Sequence, residues 1–254
     1  MRVYYNEWED YPARWLRNLF PDADVDDRSI CDVGEDDVTC YDRVHLFAGI
    51  GGWELALELA GWGSDPVWTG SCPCQPFSQC GKKGGTSDER HLWPEMFRLI
   101  EAGHPAVIFG EQVAGKRGLE WFDGVRADLE SIGYACGMAV LPAACVGAPH
   151  KRDRIFWVAD LNWVADAAWA ARERSIGRSD SGVDHGVTST SHWSDFGPYK
   201  CRDGKVRRVG SGVQPLAARV PGDLDQLSAY GNAIVPQVAA VFVKSYMEAS
   251  HEAV

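Results

Sequence analysis

Apolar residues gather in short runs separated by polar, glycine-containing segments, and the period inside each run separates strand from helix. "RVYYNE" is a short β-rich run, and "WEDYPARWLRNLF" repeats its apolar positions at roughly helical spacing. "DADVDDRSICDV" reads as a turn, a short strand and a loop. A second unit begins at "RVHLFAGIGG", an apolar strand running into a glycine turn. "WELALELAGW" follows, with strong helix formers and a glycine where the helix should stop. "PVWTG" reads as a strand, and "DERHLWPEMFRLIEAG" as a helix with Pro94 near its start, where proline is tolerated. "PAVIFGEQV" is a buried strand ending in a polar loop. "WFDGVRADLESIG" is an amphipathic helix, and "ACGMAVLPAA" and "DRIFWVAD" are further strands. "LSAYGNAIVPQVAAVFVKSYMEA" reads as a turn and a terminal helix.

Strands alternating with helices predict an α/β fold with a mainly parallel, doubly wound sheet. In such sheets ligands bind beyond the C-terminal strand ends. The glycine turn, the cysteine-bearing loop after "PVWTG" and the "GEQV" segment all fall at such ends. From Leu161 to about Val213 the character changes to a Ser-, Gly-, Arg- and Trp-rich stretch with little periodicity. The expected organisation is a main domain of 1–160 and 214–254, interrupted by a small irregular lobe at 161–213.

Composition narrows the class. A chain of 254 residues that is 45% hydrophobic can bury a full core. No apolar run at the N-terminus resembles a signal peptide, and none is long enough to span a membrane. Eight scattered cysteines then read as reduced intracellular thiols rather than a disulfide framework. A monomeric cytoplasmic protein without a metal is expected. The net charge of −11 argues weakly against a polyanionic partner, but it is unevenly spread. Residues 1–40 hold eleven acidic groups against four arginines, whereas 150–220 hold twelve Lys/Arg against eight acidic groups. A local basic face is all that phosphate binding needs, so nucleic acid stays open as partner.

The densest candidate chemistry is "GSCPCQPFSQCG", Gly70 to Gly81. Zinc would need paired thiolates, and the Cys-x-Cys and Cys-x5-Cys spacings have no second pair nearby. A disulfide is disfavoured by compartment. A nucleophile fits better, because Pro73 and Pro76 fix the backbone around Cys74 in a loop at a strand end. The glycine turn "FAGIGG", Phe47 to Gly52, would let backbone amides approach a cofactor, or is simply a tight structural turn.

Taken in order, these stretches resemble the motifs of DNA cytosine-5 methyltransferases. "PCQPFS" with the segment through "GEQV" is similar to that family's catalytic stretch, and "FAGIGGWELALELAG" to its cofactor motif. "APHKRDRIFWVA" resembles its Gln-Arg-Arg-x-Arg motif, with His150 and Lys151 in place of the first two residues. "YGNAIVPQVA" resembles its C-terminal Gly-Asn-Ala motif. The resemblance implies a Rossmann-like S-adenosylmethionine-dependent sheet acting on double-stranded DNA. Cys74 would add to C6 of a flipped cytosine, Glu111 would hold its N3/N4 edge, and Arg152 and Arg154 would complete the catalytic set. Pro73, Gln75 and Ser78 would line the base site. Phe47, Gly49, Gly51, Gly52, Ile30 and Asn232 would contact S-adenosyl-L-methionine.

The family's ribose and adenine motifs do not follow the glycine turn here. "VYYNEWEDYPARWLRNLFPDADVDDRSICDV" at the N-terminus resembles them, so the order is transposed, with Glu7 on the ribose and Trp8 beside Phe47 on the adenine. A carboxylate suits a vicinal diol because it accepts two hydrogen bonds. Ser29 stands where the family carries an adenine-binding Asp, and Gln112 replaces the usual Asn after the glutamate. The transposition requires helix 53–61 either to cross left-handed or to lie on the opposite face. The 161–213 lobe, with eight arginines and lysines from Arg172 to Arg208, would face DNA. The compact, rearranged build points towards a phage or prophage origin. Rival readings are an RNA-directed enzyme, transfer of a different one-carbon group to C5, and a non-catalytic DNA-binding homologue.

Overall fold

The computed structural model describes residues 1–73, 92–163, 196–200, 206–210, 229 and 231–251. A seven-stranded sheet organises it. Its strands are β1 (Val3–Asn6), β2 (Asp24–Asp26), β3 (Arg43–Leu46), β4 (Val67–Gly70), β5 (Val107–Val113), β6 (Ala135–Pro142) and β7 (Asp153–Asp160). Their order across the sheet is β2-β1-β3-β4-β5-β7-β6. All neighbours are parallel except those of β7, which runs antiparallel to both β5 and β6. This is the predicted mainly parallel α/β sheet.

Side-chain alternation sorts the helices onto two faces. On one, Val67, Val107, Phe109 and Phe156 pack against Trp53, Ala56 and Leu57 of α2 (Gly52–Ala60) and Val238, Ala239 and Val243 of α5 (Pro236–His251). Tyr5 lies on the same face, covered by Leu16 of α1 (Asp10–Leu19) and stacked between Phe20 and His45. On the other, Val44, Leu46, Trp68, Ile108 and Trp157 pack against α3 (Trp93–Gly103) and α4 (Lys116–Ser131). Gly70 leaves room for Met96, whose methyl group would lie 2.3 Å from a Cβ there and would have to shift.

The faces settle the crossover. The units β1-α1-β2, β4-α3-β5 and β5-α4-β6 share one hand, because α1 moves in the opposite direction along the sheet from α3 and α4 and lies on the opposite face. The β3-α2-β4 unit moves with α3 yet lies with α1, so its hand is opposite. Parallel crossovers are right-handed in about 98% of cases, which makes α2 a left-handed crossing.

Most of the lobe at 161–213 lies outside the described residues. Within it, β8 (Phe196–Lys200) and β9 (Val206–Gly210) form a two-stranded antiparallel ladder, so the stretch is less irregular than its composition predicts. The Asp203-Gly204 pair between them is the hairpin signal that an average over the segment conceals. Among the described residues no helix is long and apolar enough to cross a membrane, and no group of three or more His, Cys, Asp or Glu could hold a metal.

Candidate active site

One edge of the sheet gathers the C-terminal ends of β1, β3, β4 and β5 with the N-terminal end of the antiparallel β7. Hydrogen bonds join these ends along the edge.

At the β1 end, Glu7 is buried. Its carboxylate accepts from the Gly49 amide at 2.7 Å through Oε2 and from the Glu9 amide at 2.9 Å through Oε1. The first bond ties the N-terminal segment to the glycine turn across 42 residues of chain. Burial raises the Glu7 pKa, opposed by these two amides. The turn uses three left-handed residues: Phe47 (φ 53°), Gly49 (φ 57°) and Gly51 (φ 85°). A side chain at Gly51 would strike Phe20, whereas Gly49 opens onto free space. Trp8 is 69% exposed beside Glu7, and Phe47 is partly buried against the core. An open turn, two aromatic rings and a carboxylate with lone pairs to spare fit a nucleoside-bearing cofactor.

Other candidates for that pocket are placed differently. Ile30 is 3% exposed and its side chain is spent on the core beside Tyr4 and Val33. Ser29 caps the short helical turn Ile30–Asp32, accepting weakly from the Cys31 amide at 3.4 Å. Asn232 is exposed in the segment before α5, where Ile234 packs so closely on Gly52 that a Cβ there would lie 2.8 Å from its Cγ1.

At the β4 end, the Trp53 indole donates to Ser71 Oγ at 3.0 Å, Cys72 is buried and Pro73 is exposed. Cys74, Gln75 and Ser78 lie outside the described residues. At the β5 end, Glu111 is buried and pairs with Arg154, Oε1 to Nε 2.7 Å, across the antiparallel β5–β7 ladder. Burial pushes the Glu111 pKa up, opposed by Arg154 and then Arg152. Gln112, 2% exposed, donates from Nε2 to the Cys72 carbonyl at 3.1 Å and accepts from the Val113 amide at 2.8 Å. The hydrogen bonds of Arg152 go to the C-terminal segment, to the carbonyls of Gly231 (2.9 Å) and Ala233 (2.8 Å).

Two elements escaped sequence reasoning. Gln112 registered only as a departure from a motif, not as a tie to the cysteine segment. The second is a buried network below the glycine turn. His45 bonds Thr69 Oγ1 at 2.8 Å and Glu54 Oε2 at 3.0 Å, while Arg43 bonds Glu54 and the Gly63 carbonyl. Its signal was present: Arg43 and His45 occupy alternate positions of a buried strand, where an unpaired charge is costly.

The fold defines a class: a Rossmann-like α/β sheet, mainly parallel, with one antiparallel strand near its far edge. Residues 65–175 match the family model of C-5 cytosine-specific DNA methylases. The chain is 25% identical over 183 residues to the type II methyltransferase M.NgoMIV of Neisseria gonorrhoeae, covering 69% of this chain and 57% of the relative. It is 26% identical over 263 residues to type II methyltransferase M.HhaI of Haemophilus parahaemolyticus, covering 82% and 80% respectively. The crystal structure of a Spodoptera frugiperda DNMT2 mutant superposes with a TM-score of 0.48 at 15% identity, covering 70% of this chain and 46% of that one. The chain thus spans little more than half the length of M.NgoMIV. The segment 65–175 is similar to C-5 cytosine-specific DNA methylases over somewhat under half of the chain.

Proposed function

We propose that this protein is a DNA (cytosine-5)-methyltransferase that takes its methyl group from S-adenosyl-L-methionine and acts on a cytosine flipped out of duplex DNA. The observation that supports this best is the setting of Glu111. It is a buried carboxyl with a raised pKa, paired with Arg154, beside a glutamine that holds the chain two residues before Cys74. A carboxyl that keeps its proton more readily than usual suits a group that must hydrogen-bond N3 of the ring as charge builds there. Cys74 is the nucleophile in this reading: its sulfur bonds C6, which makes C5 nucleophilic, and the bond breaks again when the C5 proton leaves. The bound cofactor supplies an electrophilic methyl group to that carbon. Arg154 orients Glu111 and balances its charge. Glu7, Trp8, Phe47, Gly49, Gly51, Gly52 and Asn232 would hold the cofactor, and Pro73, Gln75 and Ser78 the base. The 161–213 lobe would face the DNA.

The test is to incubate the protein with methyl-tritiated S-adenosylmethionine and duplex DNA, digest to nucleosides and identify the labelled product. Label in 5-methylcytosine, lost with Cys74→Ser, is expected. Transfer by Cys74→Ser at the wild-type rate would remove the nucleophile, and label in another nucleoside would remove the reaction.

A further inference from the structure

Arg152 belongs to a motif whose two arginines are expected in the catalytic set, yet its guanidinium is hydrogen-bonded to the C-terminal segment. Its Nη1 and Nη2 donate to the carbonyls of Gly231 and Ala233, the two residues that flank Asn232. The backbone of Arg152 is held in the left-handed region, at φ 36°, a conformation strained for a non-glycine residue. Surrounding structure must hold that conformation, and it does. The Ala143 amide donates to the Lys151 carbonyl at 2.7 Å and to that of Arg152 at 3.3 Å, on one side. The guanidinium fork grips two carbonyls on the other. Immediately beyond, Ile234 rests on Gly52, the first residue of α2, with no room for a Cβ between them. Arg152, the 231–234 segment and the helix that follows the glycine turn therefore form one stack.

We propose that Arg152 is a positioning residue for the cofactor pocket, which it serves by fixing the Gly231–Ile234 segment, and with it Asn232, against the start of α2. The inference rests on the methyltransferase reading above. It explains why an arginine is needed: two carbonyl acceptors two residues apart suit a planar fork, whereas a lysine offers one point charge. It also couples the strand that carries Arg154 to the segment that carries Asn232, 78 residues away in the chain.

The test compares Arg152→Gln and Arg152→Lys with wild type for S-adenosylmethionine affinity by titration calorimetry. It also measures KM for the donor, and single-turnover methylation at saturating donor. Loss of two charge-assisted hydrogen bonds predicts a fall in donor affinity of about tenfold to a hundredfold. Both variants should show it, and the loss should fall on KM more than on the single-turnover rate. Lysine restoring the affinity would mean that charge alone matters, and a collapse of turnover at unchanged affinity would put Arg152 at the base; either overturns the proposal. A cycle with Asn232→Ala adds a second check, because Arg152→Gln should cost little more once Asn232 is gone, and full additivity would refute the linkage. Hydrogen exchange of the amides of residues 231–236, which should quicken in both variants, needs neither ligand nor turnover. If wild type bound no donor, the methyltransferase reading would fall. Unchanged exchange in the variants would sink the Arg152 inference alone.

Discussion

Gln112 offers the sharpest test of how the cysteine segment is held. Its amide spans the gap between β5 and β4, giving a hydrogen to the Cys72 carbonyl and taking one from the Val113 amide at its own strand end. Truncation in Gln112→Ala removes both bonds, takes the Gln112 donor from the buried Cys72 carbonyl and takes the side-chain acceptor from the Val113 amide. An unsatisfied buried polar group costs about 1–3 kcal/mol, and the Val113 amide, nearer the surface, costs less. A total near 2–4 kcal/mol, at about 2–4 °C per kcal/mol for a domain of this size, predicts a Tm lower by about 4–16 °C. Gln112→Glu keeps the shape but turns an oxygen on the Cys72 carbonyl, so it should destabilise more than alanine at neutral pH. Its deficit should shrink as pH falls, because a protonated carboxyl can donate in place of the amide. Gln112→Asn is too short to span both partners and should behave like alanine. The functional readout is the covalent adduct on duplex DNA carrying 5-fluorocytosine, where no C5 proton can leave and the protein stays bound on a denaturing gel. Each variant should form it more slowly than wild type at matched temperature below its own Tm. A Tm of Gln112→Ala within about 1 °C of wild type would refute the clamp, given the cost expected of an unsatisfied group.

Three further outcomes are expected. Glu7 has a folded pKa above its ordinary value, chiefly through burial, so its contribution to stability is full at low pH and is lost as pH rises through the folded pKa. Glu7→Gln should therefore gain in Tm relative to wild type between pH 4 and pH 8, while binding S-adenosylmethionine about tenfold more weakly for want of a second diol acceptor; a relative Tm independent of pH would contradict it. His45 and Glu54 work in the opposite sense. Burial lowers the His45 pKa against the pull of Glu54, and His45 and Arg43 hold Glu54 below its usual range despite its burial. Stability should fall as pH drops below the unfolded histidine value and again as Glu54 takes a proton, and His45→Gln should flatten the first part of a Tm-against-pH curve. Finally, Gly52→Ala should cost about 1–3 kcal/mol by overpacking against Ile234. Ile234→Ala makes room, so a double-mutant cycle in urea should show favourable coupling above about 0.5 kcal/mol; additivity would mean that the two do not touch.

Much of this was legible from periodicity because the strands are short and cleanly bounded. "VHLF" running into "AGIGG" and "VIFG" running into "EQV" announce strand ends followed by polar or glycine segments, and both ends lie at the site. The nearness of Glu7 to the glycine turn was likewise readable, since both follow the ends of adjacent strands, and the Gly49 amide donates to the Glu7 carboxylate. What periodicity cannot carry is the destination of a long polar side chain. Arg152 and Arg154 are two residues apart on one motif, yet one pairs with Glu111 and the other reaches the C-terminal segment. The difference arises from the left-handed backbone at Arg152, which redirects its side chain. Ile30 is buried for a simpler reason: in a three-residue helical turn an isoleucine flanked by polar groups is the side chain that anchors the turn to the core.

The left-handed crossing of α2 follows from what the site demands of the chain. The start of α2 must lie directly after the glycine turn, over the end of β3 and beneath the 231–234 segment, and this fixes the helix on the face it shares with α1 and α5. With β1 and β2 already placed before β3 in the sequence, the next strand to be reached is β4, on the other side. Moving α2 to the face that gives a right-handed crossing would drive it into the space of α3 and strip Glu54 from Arg43 and His45. The buried network under the turn is therefore tied to the unusual hand. Arg43 also bonds the Gly63 carbonyl, in the loop that carries α2 back to β4, so a single side chain secures both the helix and its return. Twist disfavours the crossing, and the packing of Trp53, Ala56 and Leu57 against α5 and Phe109 opposes that cost. Sheet order and chain order are thus separable, because Glu7, the glycine turn and the 231–234 segment meet along one sheet edge although they lie far apart in the sequence.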